Sequence, residues 1–455
     1  MSLFLLPFPF IIALLLVLAW RRRTQRLKAD ATAWQIQNIK SMKRQGAHET
    51  ATLLADLIEN DGAGAWPPKT NYGSWPEPLR AYKDIYLELV PTLPAANPSL
   101  DDDVNQEKRN KYRMRMRKLL SERVDIVGVE KLMIAAAAGD TDAFPRDVYN
   151  AFYCCIAVCR HAYRWATIPV VKVAQLEKIV DFPPELDVPW PYLQRSFRVD
   201  ADSGNNTANV LHNFDENGER VFKINVGLNE LITSSEDAFF RLFYDLEVLA
   251  MPIYYDMIRA VVCFEENDTV SCLTHLQNIT FRVRTLLKVF YDGLTASRVS
   301  KEVWLSYVQG FQGWGVGRMI NGEYVKFDGL SGNHVLIFQA LDAFLGIGRY
   351  LSDENMDRYI PGRQRDLCVA LKKHSFRGKL KGPMDCQIEE EFKKIVNHMK
   401  LFRSAHRTRV MPYLEQPAPE RLTMTAGKSV LEGPDAKSAL KVLDDMLVTR
   451  LKQTA

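Results

Sequence analysis

The stretch FKKIVNHMKLFRSAHRTRVMPYL, Phe392 to Leu414, decides how the C-terminal half of this chain folds. Apolar residues recur at three- and four-residue spacing through Ile395, Met399 and Phe402 and on to Val410 and Tyr413, which predicts a helix with one apolar stripe. His406 falls within that stripe, bracketed by Arg403, Arg407 and Arg409. A histidine so placed is more often a core residue with satisfied hydrogen bonds than a ligand. Arg403, however, points near the same face, and a buried guanidinium needs an anion, either a carboxylate side chain or the acidic group of a ligand. The surrounding cations also favour a neutral imidazole, the form that binds a metal ion. Arg407 and Arg409 are expected at solvent or at the rim of a pocket.

Working outward, the same spacing marks long helices throughout the chain after Asn229: EDAFFRLFYDLEVLAMPIYYDMIRAVV, VSCLTHLQNITFRVRTLLKVFYDGL, KEVWLSYVQGFQGW and HVLIFQALDAFLGIGRYL. MINGEYV, with its Asn321-Gly322 turn, predicts a hairpin among them. The polar, Pro- and Gly-containing run from Gln416 to Ser438 reads as a mobile loop of the kind that covers pockets, ahead of a final helix from Ala439. Upstream, helices are expected over Tyr82–Leu89, Gln106–Val124, Val129–Ala138 and Pro145–Trp165, and ENGERVFKINV reads as a short hairpin arm. WPPKTNYGSWPEP interrupts the pattern after an amphipathic helical segment from Ala29 to Asn60.

At 455 residues, with 47% hydrophobic and 25% charged, the chain can fill two buried cores. Its 59 basic against 55 acidic residues are too balanced for a nucleic-acid binder, and KYRMRMRK from Lys111 alternates with apolar residues as a solvated helix does. The seven cysteines include Cys154, Cys155 and Cys159, whose spacing suits neither a zinc knuckle nor a redox CxxC pair, so they are expected to be reduced core residues. LFLLPFPFIIALLLVLAW, residues 3–20, is uncharged and near the lower limit of a membrane-crossing helix. RRRTQRLK follows it, so the positive charge lies after the apolar run, the arrangement of an uncleaved anchor with the rest of the chain cytosolic. The alternative is a signal peptide with an unusual n-region, under which the sequons at Asn205, Asn267 and Asn278 become usable. The domain organisation expected is an anchor over 1–24, a tether over 25–75, a small N-terminal α(+β) domain over 76–220 and a large all-α domain over 221–455.

Haem would meet both needs of the opening stretch, with iron for the imidazole and propionates for the guanidinium. HVLIFQALDAFLGI (334–347), DRYIPGRQRDLCVAL (357–371) and the opening stretch, in that order, carry the phrases FQxxDxxLGI, RYxPxxxRxL and RSxH. In order and spacing they resemble the C-terminal half of the indoleamine 2,3-dioxygenases, here a divergent, fungal-type member with an added anchor. Upstream, Phe239, Phe240 and Glu247 resemble the family's distal-helix motif, and Gly313-Trp314 ends a segment similar to its next distal helix. The resemblance implies a mostly α fold in which a large all-helical domain holds haem b beneath a smaller domain. It implies that His406 is the axial iron ligand and that Arg403 pairs with Asp342 and a propionate, with Ser331 also on the cofactor. It further implies that both atoms of O2 are inserted across the indole C2–C3 bond of tryptophan, giving N-formylkynurenine.

On the distal side the pattern departs. Phe239 keeps the aromatic expected against the substrate ring. By register, however, Phe243 stands where the family has a serine, Val303 where it has a second aromatic, and Val308 where it has the arginine that holds the substrate carboxylate. The Gly-rich GTGG-type loop segment is replaced by something like TAGKS or EGPDAKS. Losing such a charge-assisted contact costs roughly 2 to 5 kcal/mol of binding, so a modified or peptide-bound indole is expected to suit the site better than free tryptophan. Arg241, Gln309 or Gln312 are the candidates for a compensating contact. The expected activity is therefore that of a membrane-tethered haem dioxygenase on the cytosolic face of the endoplasmic reticulum, near a membrane-bound electron donor. One alternative is a haem-binding sensor or carrier on the same fold that has lost indole cleavage; another is a cofactor-free helical scaffold. GWGVGR and AGKS imitate nucleotide loops but lack a strand-loop-helix setting. An apolar N-terminal anchor also suits a microsomal cytochrome P450, but no cysteine has the Phe-x-x-Gly-x-x-x-Cys-x-Gly setting of a thiolate ligand.

Overall fold

The computed structural model describes residues 29–454 apart from 94–98, 167–172, 174, 175, 178, 309–316, 326–331, 350, 381–384, 415–423, 426, 427 and 430–435. The apolar run over 3–20 lies outside them, as does most of the expected loop over 416–438. Among the described residues no helix is long and apolar enough to cross a membrane.

Two apolar cores organise the chain. The smaller forms around the helix Arg146–Trp165, which is buried from Val148 to its end. That helix buries even the face that carries Asn150, Arg160, His161 and Arg164, so neighbours must enclose it and supply polar partners. Glu77–Leu89, Asp102–Arg123, Ile126–Ala137 and Trp190–Phe197 do so through residues such as Tyr82, Tyr86, Met116, Leu120, Met133 and Leu193. Two arginines on the basic face of Asp102–Arg123 share one carboxylate with an arginine of Arg146–Trp165. Glu177 accepts from Arg109 at 2.6 Å, from Arg113 at 2.6 and 2.8 Å and from Arg164 at 2.8 Å.

The larger core is built on the 36-residue helix Glu230–Glu265 and its partner Thr269–Gly293. Leu242, Leu246, Ala250, Ile253, Met257 and Ala260 keep one face of the first helix apolar over its length. A three-residue connection, with Asn267 in the left-handed region (φ 60°) and Asp268 capping Ser271 N–H at 3.0 Å, turns the chain back antiparallel. Cys386–Leu414 packs on Thr269–Gly293, Leu336–Phe344 on Gly362–Lys373, and Ala436–Gln453 on Cys386–Leu414. The expected hairpin is present: Arg318–Ile320 pairs antiparallel with Glu323–Val325, and Asn321 and Gly322 (φ 52° and 84°) form the turn. A second short strand pair joins Met424–Thr425 to Lys428–Ser429. The expected arm at 216–226 reduces to a single bridge, Phe214 with Arg220.

The expected tether over 25–75 is corrected by its packing. Residues 29–44 and Glu49–Asp56 are helical, a π-helical turn Leu57–Asp61 follows, and together they place Ile39, Met42, Ala51, Leu54, Ala55, Leu57 and Ile58 in the larger core. Trp66 then donates to the buried Glu247 carboxylate at 2.7 Å. Asp61, also buried, receives Arg363 of the large domain at 2.8 Å and Arg146 of the small one at 3.4 Å. The segment looked like a tether because its prolines break periodicity, but its apolar residues find their partners far along the chain. The cysteines are all free thiols, six of them buried and Cys386 exposed. Asn205 is fully buried, bonded to the Tyr153 hydroxyl and capping Ala208 N–H, so a glycan at that sequon is incompatible with this fold.

Candidate active site

The opening stretch forms the helix Cys386–Leu414, the side chains of 411–414 lying outside the described residues. Its stripe sets Ile395 and Met399 in the core and leaves His406 half-buried. The imidazole sits between two phenyl rings: Phe290, with centroids 5.4 Å apart, and Phe402, nearly parallel at 5.7 Å. Among the described residues no group hydrogen-bonds it. Burial holds its pKa down to about 4, so the ring is neutral at physiological pH with a lone pair uncommitted to the protein. That is the state a metal ligand requires, and it argues against a satisfied core histidine.

One turn earlier, Arg403 is buried, and its Nη2 donates to both Asp342 oxygens at 2.7 and 2.9 Å. Asp342 comes from Leu336–Phe344, so the FQxxD and RSxH phrases meet across two helices. A residue that no motif marks joins them: Arg450, from Ala436–Gln453, ion-pairs with the same carboxylate. Arg403 also donates to the Thr454 hydroxyl, and Arg450 to Gly348 C=O at 2.9 Å. Burial lowers both guanidinium pKa values to about 10, still fully charged near neutrality. Two buried cations on one carboxylate leave a formal positive charge. Arg407 and Arg409 have other tasks. Arg407 pairs with Asp444 at 2.5 and 2.7 Å, clipping the terminal helix on. Arg409, far from facing solvent freely, donates to Tyr291 C=O and covers the Tyr291 ring at the end of Thr269–Gly293.

Opposite lies the seam of the two cores. Phe239, Phe243 and Tyr244 pack against both. Phe239 meets Phe243 edge-on at 5.3 Å, and Phe243 meets Phe290 at 6.0 Å, so an aromatic chain runs from the distal helix to His406. The segment expected as one helix from Lys301 begins with a single α turn, Lys301–Val303, and continues as a π-helical turn, Trp304–Val308. Val303 and Val308 are not at the mouth of an open pocket; both are buried in the smaller core. Trp304 instead faces Phe239, with centroids 6.2 Å apart, supplying an aromatic one residue beyond Val303. Arg241 turns away, donating to Gly218 C=O at 2.9 Å with Glu219 at 3.6 Å, and Arg220 is held by Glu236 and Asp237. Ser331, Gln309, Gln312, Gly313 and Trp314 lie outside the described residues. Behind the site, buried Glu247 accepts from Trp66 Nε1 at 2.7 Å, Tyr254 hydroxyl at 2.7 Å and Ile337 N–H at 3.0 Å, locking Leu336–Phe344 to the distal helix.

An imidazole with a free lone pair, excess buried positive charge and apolar walls suit a planar, dianionic, metal-bearing ligand. The model of the indoleamine 2,3-dioxygenase family matches residues 146–445, which span every one of these groups except Arg450. The chain belongs to the indoleamine 2,3-dioxygenase family. It is thus a haem-dependent dioxygenase of the tryptophan/indoleamine type in general terms. No curated protein matches the sequence. For a member of this family, His406 is the residue that would hold iron, and Arg403 and Arg450 those that would meet propionates.

Proposed function

We propose that this protein cleaves the C2–C3 bond of an indole whose carboxylate is blocked, such as a modified or peptide-bound tryptophan, using haem b and O2. The observation that carries this reading is the burial of Val308 in an apolar core, with Arg241 and Arg220 committed to protein acceptors. Haem, when bound, supplies ferrous iron to activate O2.

The protein's own residues position and exclude. Neutral His406 would hold the iron, and Arg403 and Arg450 beside Asp342 would meet the propionates. Phe239 and Trp304 offer faces and edges for an indole, while Phe243 fills the serine position with a ring that keeps water out but gives no hydrogen bond. Binding a free carboxylate there would desolvate it without a charged partner among the described residues, which disfavours free tryptophan. The apolar run over 3–20 followed by Arg21, Arg22 and Arg23 supports attachment to the endoplasmic reticulum with the catalytic part cytosolic. A membrane-bound electron donor would then keep the iron ferrous.

The first test is spectroscopic. The full-length protein supplied with haem should show a Soret band that His406→Ala shifts or abolishes. A wild-type chain that cannot be loaded with haem overturns the proposal. Haem loading without turnover on any indole would leave the sensor or carrier reading, which the loss of polar distal groups favours.

A further inference from the structure

A second cluster of ligand-type side chains forms where the N-terminal helices dock on the ends of the core helices. His48 caps the helix Glu49–Asp56, Glu265 ends Glu230–Glu265, and His374 follows Gly362–Lys373. His48 Nε2 lies 3.1 Å from Glu265 Oε2, and His374 Nδ1 lies 2.7 Å from Glu265 Oε1. The two rings meet edge to face at 4.4 Å. One ligand atom from each of the three residues falls within 4.8 Å of the others. Glu49 adds a carboxylate oxygen 3.0 Å from His374 Nε2, itself held by Lys373 at 2.6 Å.

We propose that His48, Glu265 and His374 bind a divalent zinc-class ion that staples the N-terminal helices to the dioxygenase core. Two imidazoles and one carboxylate form the mixed N/O set that zinc takes in tetrahedral coordination, with a water available as the fourth donor and Glu49 as the outer contact of His374 Nε2. Calcium and magnesium want oxygen donors throughout, so the two histidines select against them. His48 lies 217 residues before Glu265, which lies 109 before His374, so one ion closes two long loops. His48 carries the outer contact that such a ligand needs. Its Nδ1 lies 2.7 Å from Thr50 Oγ1 and also accepts from Thr50 N–H at 3.1 Å. An ion on Nε2 moves the ring proton to Nδ1, which then donates to Thr50 Oγ1 and gives up the amide bond.

The test is a calorimetric titration of Zn2+ into the purified, chelator-treated full-length chain, with metal content measured after dialysis. One tight equivalent per chain is expected, together with a higher melting temperature. His374→Ala should weaken that site by about a hundredfold or more, beyond the 10–100-fold that losing an outer contact brings. Glu265→Gln, which preserves the side chain's shape, should do the same while retaining the parent's helical circular dichroism. His275→Ala removes a histidine that instead pairs with Asp256 at 2.8 Å and should leave zinc binding unchanged. Absence of a stoichiometric site, or parent-like affinity in His374→Ala and Glu265→Gln, overturns the proposal.

Discussion

Asp342 holds two guanidinium groups on one buried carboxylate, and all three side chains are at least nine-tenths covered. Removing the carboxylate leaves two buried cations facing each other without compensation, a loss on the order of 3–5 kcal/mol for a broken buried pair. Asp342→Ala should therefore lower the urea midpoint strongly even without haem, and a small change would mean that the pairs are not formed. The Arg403 part of this arrangement was legible, because FQxxD and RSxH announce it. Arg450 was not: it stands 108 residues beyond Asp342 in a helix with no motif, and only the packing of that helix brings it in. Trp304 was missed differently. Register pointed to Val303, but the aromatic that faces Phe239 comes one residue later, where the backbone forms a π turn.

The elements themselves followed from spacing and caps. The helices expected over Tyr82–Leu89, Gln106–Val124, Val129–Ala138 and Pro145–Trp165 appear as Glu77–Leu89, Asp102–Arg123, Ile126–Ala137 and Arg146–Trp165, their starts moved by caps such as Asp101 and Asp125. The N-terminal segment misled because a break in periodicity says where a helix ends, not where the chain packs afterwards. The terminal helix Ala436–Gln453 is fastened twice, by a half-exposed clip (Arg407 with Asp444) and by a buried anchor (Arg450 with Asp342). The two should differ in consequence. Arg450→Ala should cost on the order of 2 kcal/mol, the scale of a lost buried charge-assisted hydrogen bond, whereas Asp444→Ala should leave the melting temperature near the parent's. Equal effects would place the anchor elsewhere on the helix.

Across the described residues, burial disfavours the charged form of His161, His212 and the half-buried His406. Burial holds His161 and His406 down to about 4, and His212 well below its ordinary value. Unfolded histidines titrate near 6.5, so between about pH 6.5 and 4 the unfolded chain binds protons that the folded chain refuses. These three groups therefore pull stability down as the pH falls through that window, against buried Asp61 and Glu247, whose raised pKa values act in the opposite sense. Urea unfolding of the haem-free protein at pH 7 and pH 5 checks this, and an unchanged or rising midpoint at pH 5 would contradict it. The same architecture brings the two cores together at Phe239 and Phe243, with His406 across Phe290, and commits the distal Arg241 and Arg220 to protein acceptors. The most direct measurement is kcat/KM of the haem-loaded, reduced enzyme for tryptophan beside its methyl ester and amide under labelled O2. The account predicts products that gain both labelled oxygen atoms, with the blocked substrates turned over at least as well as the free acid. A preference for free tryptophan of about tenfold or more, equivalent to about 1.4 kcal/mol, would contradict it.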